Sequence, residues 1–159
     1  MNNNRFHTID DFNKPVFFEN KLKMLDNKRH TAYLLTGQSD LSGWNEEWKD
    51  KVFSKMKENE NTQYIFLTKR PENIKLKETP DNGWFGVTVT SSKEKTRIDY
   101  LRNNIKAKHY HITFEPMFDD VGKLDLSNIS WIVIGTETGN RKGKISSKSC
   151  LLYTSDAAD

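Results

Sequence analysis

The chain has 159 residues, of which 35% are hydrophobic and 30% are charged, and its formal net charge is +3. No apolar run approaches the roughly 20 residues of a membrane span, and residues 1–5 lack the apolar core of a secretion signal, which predicts a cytoplasmic protein without a membrane partner. The single cysteine, Cys150, excludes an intrachain disulfide and any metal site built from several cysteines. The mild, scattered charge does not by itself indicate a nucleic-acid partner.

The last ten residues, 150–159, differ in composition from the rest of the chain. They contain no Lys or Arg, whereas residues 1–149 hold all 25. Their sequence resembles the translation of a sequencing adapter joined to the end of a gene fragment. We therefore expect one domain at residues 1–149, followed by a non-native tail.

Apolar runs that end in polar residues recur along the chain and indicate parallel strands. Five such runs are found, at residues 31–37, 64–69, 84–90, 109–115 and 131–137. Helical patterns separate some of them, and an alternation of strands and helices is typical of an α/β fold with right-handed crossovers.

Two helices are predicted between these strands. The first covers residues 45–59, where Trp44, Trp48, Val52 and Met56 recur every four residues and form the apolar face. The second follows Ser91 and Glu94, which have the spacing of a capping box, and it turns Ile98, Leu101 and Ile105 inward.

Alternation within the strands predicts two different faces of the sheet. In the fourth strand His109, His111, Thr113 and Glu115 share one face, and Tyr110, Ile112 and Phe114 share the other. A face that is polar near the strand ends, opposite an apolar face under helices, favours the lumen of a barrel that holds a polar ligand. A flat doubly wound sheet would need both faces to be apolar.

Two carboxylates, Glu115 and Glu137, follow neighbouring strands at the end of the sheet where ligands bind in parallel α/β proteins. They are candidate catalytic acid/base residues or ligand anchors, although each could instead cap a loop or pair with Lys69 or Arg70. A second interpretation is a metal-dependent hydrolase that uses His109, His111 and Glu115 as ligands.

A basic loop follows the fifth strand and contains Arg141, Lys142 and Lys144. It fails as a phosphate-binding loop, because Thr138 stands where the first glycine is required and Ile145 where Ser or Thr is required. The loop leaves a third interpretation open, a non-catalytic module that binds nucleotides or nucleic acid.

Six motifs occur in order along the chain, at residues 36–40, 66–71, 84–90, 97–98, 113–117 and 131–139. Together they resemble a phage- and mobile-element-associated family of unknown function related to radical S-adenosylmethionine (SAM) enzymes. The closest match is to the radical SAM mobile pair proteins, and the resemblance covers about residues 5 to 149.

The resemblance implies a partial TIM-like (βα) barrel of the radical SAM type, with an S-adenosylmethionine pocket at the strand ends and a paired radical SAM-like protein as a partner. The first strand end would bind the cofactor through Thr36, Gly37, Ser39 and Asp40. The other candidate cofactor-binding residues lie at later strand ends: Thr68, Lys69, Arg70, Thr88, Thr90, Gly135 and Thr136.

Radical SAM enzymes also hold a [4Fe–4S] cluster on three cysteines that follow their first strand. This chain has no such triad, and its strand at residues 31–37 matches the second strand of that family. We therefore expect a catalytically incomplete fragment, whose cluster loop either lies upstream or has been lost.

Overall fold

The structure is a computed structural model that describes residues 16–26 and 31–135. Several sequence predictions fall outside these residues. They are the two site residues Thr136 and Glu137, the basic loop at residues 141–148 and the tail at residues 150–159. Within the described residues, no helix is long and apolar enough to cross a membrane.

A parallel sheet forms the centre of the described structure and confirms the predicted α/β class. Its strands are β1 (Ala32–Leu34), β2 (Gln63–Thr68), β3 (Gly83–Thr88), β4 (His109–Phe114) and β5 (Ile129–Ile134). The spatial order is the chain order, β1-β2-β3-β4-β5, and each neighbouring pair is parallel. In the described residues the sheet is not closed on itself.

The first strand is shorter than predicted, because the chain turns after Leu34. Leu35 N still donates to Ile65 O at 2.9 Å, so the pairing with β2 continues for one residue. Beyond it, the hydroxyl of Thr36 replaces the backbone ladder: it accepts from Leu67 N at 2.7 Å and donates to Leu67 O at 3.0 Å. A side chain thereby completes the end of the strand pair.

Among the described residues the helices are α1 (Glu19–Leu22), α2 (Glu46–Glu58) and α3 (Thr96–Asn104). Four 3-10 helices accompany them in this part of the chain, at Lys23–Asp26, Leu41–Gly43, Pro71–Asn73 and Ser92–Glu94. The predicted helix at residues 45–59 is confirmed as α2. Asn45 caps it, and its side-chain oxygen accepts a hydrogen bond from Trp48 N at 2.9 Å.

Helices α2 and α3 cover one face of the sheet. Phe53 of α2 meets the rings of Phe66 and Phe85 edge-on, with centroids 6.0 and 6.1 Å away. The predicted inward residues of α3, with Ile105 directly after it, are buried in the same core. Right-handed crossovers between sequential neighbours place their helices on one side of a sheet, so this arrangement follows from the strand order.

The capping box predicted for Ser91 and Glu94 is corrected. The Glu94 carboxylate accepts hydrogen bonds from Thr90 N and Thr90 Oγ1, at 2.7 and 2.8 Å, and the Ser91 side chain makes no cap. A 3-10 turn at Ser92–Glu94 precedes α3, so the carboxylate turns back towards the end of β3.

The opposite face of the sheet, which we call the inner face, is built in layers set by the strand register. Ile65, Trp84 and His109 form one layer, and Leu67, Gly86, His111 and Trp131 form the next. Thr88, Thr113 and Val133 form a third layer nearer the carboxyl ends of the strands. The side chains of the inner face thus change from aromatic to small and polar along the strands.

Candidate functional site

The ends of β1 and β2 are joined by the Asp40 carboxylate. Its Oδ1 accepts hydrogen bonds from Thr68 Oγ1 at 2.6 Å and from Ser42 N at 2.9 Å. Its Oδ2 accepts from Lys69 N at 2.9 Å. Thr68 Oγ1 in turn accepts from Arg70 N at 3.0 Å. These polar groups bond to one another and hold the loop after β1 against the end of β2.

Electrostatics favour the charged form of Asp40. Partial burial acts to raise the pKa of its carboxyl group, but the hydrogen bonds from Lys69 N, Thr68 and Ser42 outweigh burial and lower it. Asp40 is therefore an ionised tether at neutral pH, with both oxygens occupied inside the protein.

The remaining predicted residues of this region have different environments. Thr36 is buried, and its hydroxyl both donates to and accepts from the backbone of Leu67. Ser39 Oγ accepts a hydrogen bond from Trp44 Nε1 at 3.2 Å. Gly37, Lys69 and Arg70 are exposed. The structure therefore brings Thr36, Asp40 and Thr68 together as a frame for the strand ends.

The end of β3 is fixed by the pair Glu94 and Arg97. Arg97 Nη1 donates to Thr88 O at 2.7 Å and forms an ion pair with Glu94 Oε1 at 2.9 Å. Burial acts to raise the pKa of Glu94, but the hydrogen bonds from Thr90 and the charge of Arg97 lower it overall. The hydroxyl of Thr90, a candidate cofactor-binding group, is thus occupied by an ionised carboxylate.

At the ends of β4 and β5 the Glu115 side chain lies across Gly135. A Cβ at position 135 would lie 2.9 Å from both Cγ and Oε1 of Glu115. The strands are joined there by hydrogen bonds from Gly135 N to Phe114 O and from Met117 N to Gly135 O, at 2.9 and 3.0 Å. Glu115 is exposed, and no hydrogen bond or ion pair joins its carboxylate to another described residue.

Two threonines lie next to Glu115 on the inner face. Thr88 and Thr113 are paired in register and are 3% and 9% exposed. No hydrogen bond joins either hydroxyl to another residue in the part of the chain that the structure describes. The carboxyl ends of β3, β4 and β5 thus differ from those of β1 and β2, where the polar side chains are bonded to one another.

The carboxyl ends of β3, β4 and β5 also differ in charge from those of β1 and β2. Residues 83–90, 109–115 and 129–135 contain no lysine or arginine. The Glu115 carboxylate therefore has no cation on its own or a neighbouring strand, and the neighbouring hydroxyls can accept hydrogen bonds. Such a surface suits a ligand that carries positive charge and hydrogen-bond donors.

In the structure His109, His111 and Glu115 do not form a group that could hold a metal ion. Among the described residues, no group of three or more His, Cys, Asp or Glu side chains could hold a metal ion. The ring of His109 stacks on Trp84 with centroids 4.4 Å apart, and a nitrogen of His111 is bonded to Phe66 O at 2.9 Å. The prediction that these side chains share one face of the sheet is confirmed, but the contacts of the two histidine rings keep them away from Glu115.

The amino ends of the strands carry a shallow depression, and its polar groups are bonded internally. Thr79 Oγ1 donates to Lys106 O at 2.9 Å, and Lys108 Nζ lies 3.4 Å from Asp81 Oδ2. Tyr110 OH donates to Ile105 O at 2.6 Å and accepts from Ala107 N at 3.1 Å. The unpaired groups at the other end of the sheet make it the better candidate site.

Thr113 and Gly86 belong to this site but were not candidate site residues in the sequence. Alternation along β4 places Thr113 on the same face as Glu115, so this sequence pattern could have identified Thr113 as a site residue. Gly86 interrupts an apolar strand, where glycine often marks a close approach of another group. That group is the ring of His111.

Comparison with known protein families gives a match over most of the chain. Residues 4–150 match a family described as "Protein of unknown function (DUF5131)". No curated protein and no solved structure matches the chain.

Proposed function

The chain belongs to the DUF5131 family of unknown function, and from its geometry we propose that the inner face of the sheet binds S-adenosylmethionine or a closely similar cation. The proposal includes the partial TIM-like barrel of the radical SAM type that the motifs imply. The strand order β1-β2-β3-β4-β5, with α2 and α3 on one face, supports it, because strands of a (βα) barrel follow one another in this way.

The observation that carries the proposal is the unpaired carboxylate of Glu115. It is exposed above Gly135 at the carboxyl end of the sheet, without a bonded partner among the described residues. S-adenosylmethionine carries two positive charges, an α-ammonium and a sulfonium. A carboxylate with free oxygens can accept charge-assisted hydrogen bonds from the ammonium and can attract the sulfonium.

The proposed ligand lies over β3, β4 and β5. There the hydroxyls of Thr88 and Thr113 have no partner among the described residues, whereas Thr36, Asp40 and Thr68 hold the neighbouring strand ends in place. Gly135 leaves room beside Glu115, since any side chain there would collide with the carboxylate.

A [4Fe–4S] cluster does not fit the residues of this chain. Such clusters are held by several cysteine thiolates, and the chain contains one cysteine. The function proposed for this chain is therefore binding of the cation, in which Glu115 attracts the charge and the two threonines orient the polar part of the ligand.

Calorimetric titration of the chain with S-adenosylmethionine tests the proposal. We expect saturable binding, weakened about tenfold or more in Glu115→Gln, because the variant keeps the shape of the side chain and removes its charge. Glu78→Gln, at an exposed position by the amino ends of the strands, is the matched control and should bind as the unmodified chain does.

S-adenosylhomocysteine extends the test, because it lacks the sulfonium charge but is otherwise similar in shape. It should bind more weakly than S-adenosylmethionine, and the difference should shrink in Glu115→Gln. No saturable binding of either compound, or equal affinities of Glu115→Gln and the unmodified chain, would show that the proposal is wrong.

A further inference from the structure

The inner face contains a buried histidine with a fixed tautomer. His111 is 2% exposed, and its Nε2 lies 2.9 Å from Phe66 O. A carbonyl oxygen can only accept a hydrogen bond, so Nε2 carries the hydrogen and Nδ1 carries a lone pair. Burial lowers the pKa of His111, although the bond to Phe66 acts in the opposite direction. The ring is therefore neutral at pH 7.

The Nδ1 atom of His111 is buried, and no described residue is hydrogen-bonded to it. An unsatisfied buried acceptor costs free energy, and native proteins contain few of them without a functional reason. The imidazole at position 111 therefore points to a partner that is supplied from outside the described residues.

His111 lies in line with the site proposed above. Along β4 the residues on the inner face are His111, then Thr113, then Glu115 at the carboxyl end. Trp131 packs against the His111 ring with centroids 5.4 Å apart, and 43% of its surface is exposed. Access of a ligand to Nδ1 of His111 would require the exposed Trp131 ring to move outward.

We propose that Nδ1 of His111 accepts a hydrogen bond from an uncharged N–H or O–H group of the ligand, while Glu115 holds the cationic end. The inference rests on the proposed function and specifies the shape of its ligand. His111 and Glu115 are four residues apart on one strand, which corresponds to about 13 Å at roughly 3.3 Å per residue.

This separation selects among ligands. A free amino acid such as methionine has the ammonium group but is too short to reach both positions. A nucleoside such as adenosine has neutral N–H and O–H donors but no cation. A nucleoside with a cationic tail, the class of S-adenosylmethionine, has both features and the required length.

Three probes and two variants separate the roles of the two residues. The probes are S-adenosylmethionine, adenosine and methionine, and the variants are His111→Gln and Glu115→Gln. The amide nitrogen of glutamine can take the place of Nε2 and donate to Phe66 O, so His111→Gln removes the Nδ1 acceptor while it keeps the internal bond. His109→Gln, two residues away on the same face, is the control.

We expect His111→Gln to weaken adenosine and S-adenosylmethionine about tenfold or more and to leave methionine unchanged. Glu115→Gln should weaken methionine and S-adenosylmethionine and leave adenosine unchanged. Equal adenosine affinities for His111→Gln and the unmodified chain would overturn the inference and leave the proposed function intact. Failure of the unmodified chain to bind any of the probes would overturn both.

A measurement on the unmodified chain covers the case in which His111→Gln does not fold. In nitrogen-15 spectra of the histidine rings, the Nδ1 resonance of His111 should move upfield when adenosine binds, because the lone pair then accepts a hydrogen bond. The Trp131 fluorescence should change in the same titration. An Nδ1 resonance that stays in place at saturating adenosine would overturn the inference.

Discussion

The ring of His111 occupies the space that a side chain at position 86 would need. Gly86 and His111 are partners in register on β3 and β4, and a Cβ at Gly86 would lie 2.3 Å from both Cε1 and Nε2 of the ring. No real Cβ contact is this short. Position 86 therefore requires glycine, because there is no room for a Cβ. The space left by the missing side chain allows the imidazole to reach across β3 to Phe66 on β2.

Gly86→Ala should destabilise the fold by about 1–3 kcal/mol, the typical cost of overpacking a well-packed site. The methyl group must displace the His111 ring and lengthen or break its hydrogen bond to Phe66. Urea denaturation measures the change. Gly43→Ala is the matched control, since a Cβ there meets nothing within 4 Å, and it should leave the free energy of unfolding nearly unchanged. Equal stabilities of the two variants would contradict the prediction.

His111 should also make stability depend on pH in the weakly acidic range. Its pKa in the folded chain lies below the unfolded value of 6.5, so the unfolded chain binds the proton more readily. The stabilisation is present above the unfolded pKa and is lost as the pH falls through the folded pKa. Urea midpoints measured from about pH 7.5 down to pH 5 should decrease, and they should decrease less in His111→Gln.

The carboxylates with lowered pKa values act in a different pH range. Asp40 and Glu94 have folded pKa values below 3.8 and 4.5, and their contributions are lost only in stronger acid. A decrease above pH 5 that persists unchanged in His111→Gln would show that another group is responsible.

The strands could be predicted because their physical signals are local. Each run is short, rich in β-branched and aromatic residues and followed by polar or glycine residues. Three of the five observed strands, β2, β3 and β4, therefore start and end within two residues of the predicted positions, whereas β1 and β5 end three residues earlier than predicted. The parallel direction of the strands was predicted from the alternation of strands and helices, whereas their spatial order is known from the structure.

The use of the polar strand ends could not be predicted, because it depends on distances between strands. Thr36 and Thr113 are both threonines near the end of a strand. The hydroxyl of Thr36 is bonded to Leu67 of the neighbouring strand, whereas that of Thr113 has no partner among the described residues. Sequence alternation gives the face of each side chain but not the atoms that it meets.

The single cysteine leads to a prediction about iron. When the chain is incubated with iron and sulfide under anaerobic, reducing conditions, we expect no stoichiometric [4Fe–4S] cluster and no reductive cleavage of S-adenosylmethionine, since a cluster needs several thiolates and the chain has only Cys150. Iron and sulfide analysis after gel filtration measures the first outcome, and detection of 5′-deoxyadenosine measures the second. Cys150→Ser is the control and should give the same result.

The Asp40 tether leads to a prediction about the frame of the site. In Asp40→Asn one oxygen remains for Ser42 N and Thr68 Oγ1, but an NH₂ group replaces the oxygen that accepts from Lys69 N. Two donors then face each other, and the lost bond should cost about 1–3 kcal/mol of stability. Hydrogen exchange at the Lys69 amide should become faster, which locates the effect at the junction of β1 and β2.

The pH dependence of this loss distinguishes the tether from a general packing effect. The pKa of Asp40 is lowered below 3.8, so its stabilisation is present above that value and is lost as the pH falls through the folded pKa. The difference in stability between the unmodified chain and Asp40→Asn should therefore shrink in strong acid, where the carboxyl is protonated. Asp81→Asn, which removes an exposed ion pair with Lys108, should change stability by less than about 1 kcal/mol. A difference for Asp40→Asn that stays constant down to about pH 2 would contradict the role of the ionised carboxylate.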